Sequence, residues 1–232
     1  MKTIGLLGGM SWESTVPYYR AINEAVKARL GGLHSARLVL YSVDFADIEA
    51  LQHQGDWAGA GQALADAARA LERAGADLLV LCTNTMHKVA PAIEAATPLP
   101  LLHIADPTAQ AIHKAGLNRV GLLGTAFTME QAFYRERLAR RHGIEVLVPG
   151  PADRAVVHRV IYDELCLGRT CDASREAYRR IMQGLVDQGA QGIILGCTEI
   201  SLLVGAADAS VPLFDTTGLH ALAAADAALA GR

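Results

Sequence analysis

The chain repeats itself. Gly75-Ala76-Asp77-Leu78-Leu79-Val80-Leu81-Cys82-Thr83-Asn84-Thr85 is echoed by Gly189-Ala190-Gln191-Gly192-Ile193-Ile194-Leu195-Gly196-Cys197-Thr198-Glu199, with Cys197 standing 114 residues after Thr83. A second echo lays Val120-Gly121-Leu122-Leu123-Gly124-Thr125 over Thr3-Ile4-Gly5-Leu6-Leu7-Gly8-Gly9 at an offset of 116 or 117. Both ends of one unit recur, so the 232 residues are expected to fold as two similar halves of roughly 100 residues each. The polar loops that carry Thr83 and Cys197 are expected to face one shared cleft.

Within each half, apolar runs alternate with segments of helical periodicity. Strands are expected at Lys2 to Gly8, Arg37 to Val43, Asp77 to Cys82 and Pro98 to Ile104. Four more are expected at Arg119 to Gly124, Ile144 to Val148, Gln191 to Gly196 and Val211 to Phe214. Such an alternation gives an α/β fold, two pseudo-symmetric parallel-sheet sandwich halves with the active site in the cleft between them. The first half is assigned residues 1–104 plus 211–232 and the second 105–210, with the Ala-rich helix from Thr216 packing back on the first half. Ligands of such sheets sit beyond the carboxyl ends of the strands, where Gly8-Gly9-Met10-Ser11, Thr83-Asn84-Thr85, Gly124-Thr125 and Cys197-Thr198-Glu199 all fall.

Composition narrows the function. Apolar residues make up 51% and charged ones 19%, which suits a packed core and argues against disorder. A net charge of −3 gives no electrostatic reason for a nucleic-acid or membrane partner. The first residues lead straight into a strand, so no signal peptide or membrane span is expected. Cys82, Cys166, Cys171 and Cys197 have no metal-site spacing and read as reduced thiols of a cytoplasmic protein. No metal and no cofactor are expected. Lys2, Lys27, Lys88 and Lys114 stand in no pyridoxal-phosphate setting, and Gly8-Gly9-Met10 lacks the Lys of a phosphate loop.

What remains is one thiol among hydroxyls and amides. A cysteine between a strand end and a helix start is expected to meet backbone N–H groups that favour thiolate, which would make Cys197 a base near neutral pH. Asn84, Thr85 and Thr198 are neutral donors suited to holding a carboxylate. A cysteine after an apolar strand is also an ordinary core residue, and only the overlay on Thr83 with its polar neighbours raises Cys197 above that reading. His87 reads equally well as a donor behind the site or as a solvent-facing histidine.

Gly8-Gly9-Met10-Ser11-Trp12-Glu13-Ser14, Thr83-Asn84-Thr85-Met86-His87, Gly121-Leu122-Leu123-Gly124-Thr125 and Gly196-Cys197-Thr198-Glu199 resemble the aspartate/glutamate racemase family, within it the bacterial L-aspartate/glutamate-specific branch. The resemblance runs along essentially the whole chain. It implies a cofactor-independent amino-acid racemase in which two thiols flank the substrate α-carbon. This chain departs from the pattern at the first thiol, which is Thr83. The resemblance therefore implies α-proton abstraction from L-Glu or L-Asp at Cys197 and reprotonation from the Thr83 side. Met10, Gln52, Asn84, Thr85, Thr198 and Glu199 are expected around the substrate, together with Ser11, Thr125 and Thr128. Asn84, Thr85 and Thr198 would hold the α-carboxylate, Glu199 would accept from the ammonium group and Gln52 would meet the distal carboxylate. A small-molecule amino-acid substrate is the partner implied, with a homodimer common among relatives.

Two other readings compete. A one-thiol decarboxylase or isomerase of the same fold would use Cys197 only to protonate an enolate. A non-catalytic effector protein would close its halves on an amino acid without turning it over.

Overall fold

Buried runs such as Ile-Gly-Leu-Leu-Gly have no polar face to show to water, and in the computed structural model, which describes residues 1–230, they form the inner strands of parallel sheets. The chain divides into two compact units, Met1–His103 together with the chain from His220 onward, and Ile104–Leu219.

The first unit runs β1 (Ile4–Gly8), α1 (Trp12–Leu30), β2 (Leu38–Ser42), α2 (Phe45–Gln54), α3 (Trp57–Arg73), β3 (Leu78–Leu81), α4 (Ala90–Ala96) and β4 (Leu101–Leu102). Its sheet has the order β2-β1-β3-β4, all parallel. Asp56 caps α3 by accepting from the Gly59 N–H at 2.8 Å, and Leu64, Ala68 and Leu71 recur at helical spacing to bury one face of that helix against the sheet. Ala221, Ala224, Ala225 and Ala228 cover the other face, packed with Ile4, Tyr18 and Ile22. Small side chains there let a helix lie close to the strands.

The second unit runs α5 (Ala105–Lys114), β5 (Arg119–Gly124), α6 (Ala126–Glu130), α7 (Ala132–His142), β6 (Glu145–Leu147), α8 (Pro151–Asp163), α9 (Asp172–Asp187), β7 (Ile193–Gly196) and β8 (Leu213–Asp215). Helix α10 (Thr216–Leu229) begins in it. The sheet order, β6-β5-β7-β8, repeats that of the first unit. The repeat extends to register: Leu7 pairs with Leu81, and their counterparts Leu123 and Leu195 pair likewise. Tyr178, Ile181 and Leu185 on α9 fill the core beneath this sheet, as Leu64, Ala68 and Leu71 do beneath the first.

One expectation about architecture changes. Val211 to Phe214 was assigned to the first half, yet β8 pairs with β7, Leu213 opposite Ile193 and Phe214 opposite Ile194, so the boundary expected at 210/211 falls at 219/220. Three helical stretches are broken by short turns: Thr85–Val89 is a 3₁₀ turn ahead of α4, α6 and α7 are separated at Gln131, and α8 ends at Asp163 before a 3₁₀ turn over Leu165–Leu167.

Candidate active site

Each inner strand ends in a turn that exposes a polar loop at the carboxyl edge of its sheet. In the first unit β1 gives way to Gly9, whose φ of +93° suits glycine alone; a Cβ there would lie 2.3 Å from the Val43 carbonyl oxygen. Its N–H donates to Thr15 Oγ1 at 2.9 Å, which ties the turn to α1. Met10 and Ser11 follow, both buried. Ser11 takes the N-cap position of α1, but its side chain does not cap; its carbonyl instead accepts from Ser14 Oγ and Thr15 Oγ1.

From β3 the chain passes through buried Cys82 into Thr83, Asn84 and Thr85, none more than 7% exposed. The Thr83 N–H donates to the Leu81 carbonyl at 2.9 Å, and the Thr83 carbonyl accepts from His87 Nδ1 at 2.7 Å. Gln52, carried by α2, donates from Nε2 to Met86 Sδ at 2.9 Å, which brings it to the same loop. Met10, Ser11, Gln52, Thr83, Asn84 and Thr85 therefore all belong to the first unit, at the ends of adjacent strands or beside them.

In the second unit β7 delivers Cys197, Thr198 and Glu199, again buried. Cys197 Sγ lies 2.9 Å from Glu199 Oε2, to which it donates, and the Thr198 hydroxyl donates to the same oxygen at 2.9 Å. Burial, followed by the negative charge of Glu199, holds the Cys197 thiol well above its ordinary value; the Glu199 backbone N–H opposes this and loses. The expected shift toward thiolate is therefore reversed. Its premise also fails, because only a three-residue 3₁₀ turn, Ile200–Leu202, follows Cys197, too short to build a useful dipole. At the end of β5, Thr125 caps α6: its Oγ1 accepts from the Thr128 N–H at 3.2 Å and lies 3.2 Å from Thr128 Oγ1.

Four residues outside the expected set stand close behind the Thr83 loop: Tyr18, His87, His103 and His220, all buried. Of the two readings open to His87, the solvent-facing one fails: the ring is inside. Local sequence gave no sign of His103 and His220, since they reach the cluster from distant elements.

The family model for Asp/Glu/Hydantoin racemase matches residues 7–224. The chain belongs to that family. Among its members and neighbours, the broad specificity amino-acid racemase of Bacillus subtilis is 25% identical over 223 residues, 92% of each chain. A Yersinia pestis structure assigned to the Asp/Glu racemases superposes with a TM-score of 0.92 at 64% identity, covering 99% of this chain and all of that one. An aspartate racemase homologue from Pyrococcus horikoshii gives 0.84 at 35% identity over 99% and 100% of the two chains. As in other members of the Asp/Glu/Hydantoin racemase family, the fold is two four-stranded parallel sheets flanked by helices. Among the described residues no helix is long and apolar enough to cross a membrane.

Proposed function

We propose that the protein racemises an acidic amino acid, L-Glu or L-Asp, without a cofactor. Cys197 handles the α-proton on one face, and the Thr83 side returns a proton to the opposite face. Family membership supports amino-acid racemase activity. The preference for an acidic substrate draws its support from the Asp/Glu racemase relatives.

The observation that carries the mechanism is the 2.9 Å contact from Cys197 Sγ to Glu199 Oε2. A thiol held protonated can deliver a proton to a carbanion at once, but it must lose its own proton before it can remove one. Glu199 is the neighbour that can take it, since a carboxylate oxygen already accepts from the thiol. An arriving ammonium group adds a positive charge that favours the thiolate, so substrate and base are formed together. Glu199 thus does more than meet the ammonium. Asn84, Thr85 and the backbone around Thr198 hold the α-carboxylate, and Gln52 meets the distal one. Thr83 cannot serve as a resting base, because an alkanol is far too weak an acid; it relays or donates a proton, directly or through a water. Four free cysteines fit a reducing, cytoplasmic setting.

The test is chiral chromatography of L-Glu and L-Asp incubated with protein that has been treated with hydroxylamine and a chelator. The D-isomer should accumulate regardless of that treatment and be absent with Cys197→Ser. Loss of activity on treatment would overturn the cofactor-free reading. The raised pKa of Cys197 also suits a decarboxylase that only protonates an enolate; release of CO₂ from an arylmalonate, with no α-exchange in amino acids, would favour that reading.

A further inference from the structure

Thr83 lies in no helix or strand, yet both of its backbone polar groups are fixed. Its N–H is held by the Leu81 carbonyl and its carbonyl by His87 Nδ1 at 2.7 Å. A carbonyl only accepts, so Nδ1 of His87 carries the hydrogen.

His87 is itself enclosed by rings. His103 lies against it with centroids 4.4 Å apart, and His220 stands at 6.0 Å. The orientation of His220 is set by its two nitrogens: Nε2–H donates to the Leu102 carbonyl at 2.8 Å, and Nδ1 lies 2.9 Å from the Tyr18 hydroxyl. Tyr18 meets the His220 ring edge-on at 5.6 Å. These groups come from α1, the turn after β3, the end of β4 and α10, and none is more than 5% exposed. Burying imidazoles costs more than burying aliphatic side chains of similar size, and filling the space requires only the latter. On the side of the strand-end loop the cluster reaches the backbone of Thr83 through His87 Nδ1.

We infer that His87 is a positioning residue for Thr83: held by the buried His103, His220 and Tyr18, it pins the Thr83 carbonyl and so fixes where the Thr83 hydroxyl stands. The inference rests on the proposed racemase reading for its kinetic consequence but not for its geometry. A residue without an ionising side chain works only through placement, and displacing a reacting group by about 1 Å costs on the order of 100-fold.

The test pairs two amides. The Asn side-chain nitrogen falls near His Nδ1, whereas that of Gln falls near His Nε2. His87→Gln should lower net inversion of L-Glu by about 10- to 100-fold while α-deuterium exchange of the L-isomer stays within about 3-fold, and His87→Asn should recover most of the loss. Equal losses in Asn and Gln variants, or inversion and exchange falling together, would reduce His87 to a core residue. Should both variants misfold, Tyr18→Phe, which removes only the hydroxyl bonded to His220, should lower the ratio of inversion to exchange in the same direction; an unchanged ratio would count against the network. Long-range ¹H–¹⁵N NMR of the wild type must also find His87 as the Nδ1–H tautomer. An Nε2–H tautomer overturns the proposal outright, whereas an Nδ1–H tautomer in an inactive protein would leave the geometry standing and defeat the racemase reading instead.

Discussion

Cys197 and Glu199 are joined by a hydrogen bond of 2.9 Å, the thiol donating and the carboxylate accepting, both side chains buried. Two residues apart in sequence, they form an acid and its base. Glu199→Gln keeps the size and removes the basic oxygen. α-Proton exchange of L-Glu should fall by roughly 100- to 10,000-fold, the range for loss of a general base. Exchange within about 3-fold of wild type would remove Glu199 from the proton path.

Because burial and Glu199 both raise the Cys197 pKa, the free enzyme holds the thiol at neutral pH and loses its proton only in alkali. With Glu199 present the thiol passes its proton to that carboxylate without exchanging it with solvent, so kcat/KM for exchange should be level across neutral pH, whereas in Glu199→Gln it should climb with pH through and beyond about pH 8. A wild-type profile that climbs as steeply as that of the variant would remove Glu199 from the proton path.

Thr83→Cys should raise net inversion more than it raises L-isomer exchange. Racemisation has an equilibrium constant of unity, so kcat/KM must be equal in the two directions, and a weak Thr83 side slows both. Exchange on the Cys197 side is not subject to that limit. Equal gains in an NMR assay in D₂O would contradict the assignment of Thr83.

Stability should fall in alkali for a reason outside the site. Cys82 is fully buried, and burial pushes its pKa far above the ordinary value. Below about pH 8.5 folded and unfolded chains both keep this proton, and stability is independent of it. At higher pH the unfolded chain releases it and the folded one does not, so stability drops by about 1.4 kcal/mol per pH unit for each such group. Urea titrations of Cys82→Ala between pH 8.5 and 10.5 should show a shallower decline than the wild type by that slope; parallel declines would mean Cys82 is not held neutral.

Gly9→Ala forces a Cβ to within 2.3 Å of the Val43 carbonyl at a φ of +93°. A loss of at least about 2 kcal/mol in denaturant unfolding is expected, because neither strain nor clash can relax without moving the end of β1 away from Ser42 and Val43 at the end of β2. A loss under about 0.5 kcal/mol would mean the turn re-forms elsewhere.

The inner strands were legible because β1, β3, β5 and β7 are apolar on both faces, and the duplication puts their ends in correspondence. The edge strand β8 was misplaced because a three-residue strand carries no mark of the sheet it joins; pairing with β7 decides that. At the site, the residue types at strand ends could be read, but their electrostatics could not. The reversal at Cys197 comes from burial and from the rotamer of Glu199, neither of which is written in spacing. His103 and His220 are 117 residues apart in the chain and meet His87 only through the fold.

One measurement bears on all of this most directly: ¹H NMR and chiral analysis of L-Glu and L-Asp in D₂O with the wild-type protein, followed over time. The α-proton signal should vanish faster than D-isomer accumulates, and the D-isomer formed should carry deuterium at Cα. An α-proton signal that persists while the ligand is demonstrably bound would show a protein that holds an amino acid without attacking it, and would contradict the central claim.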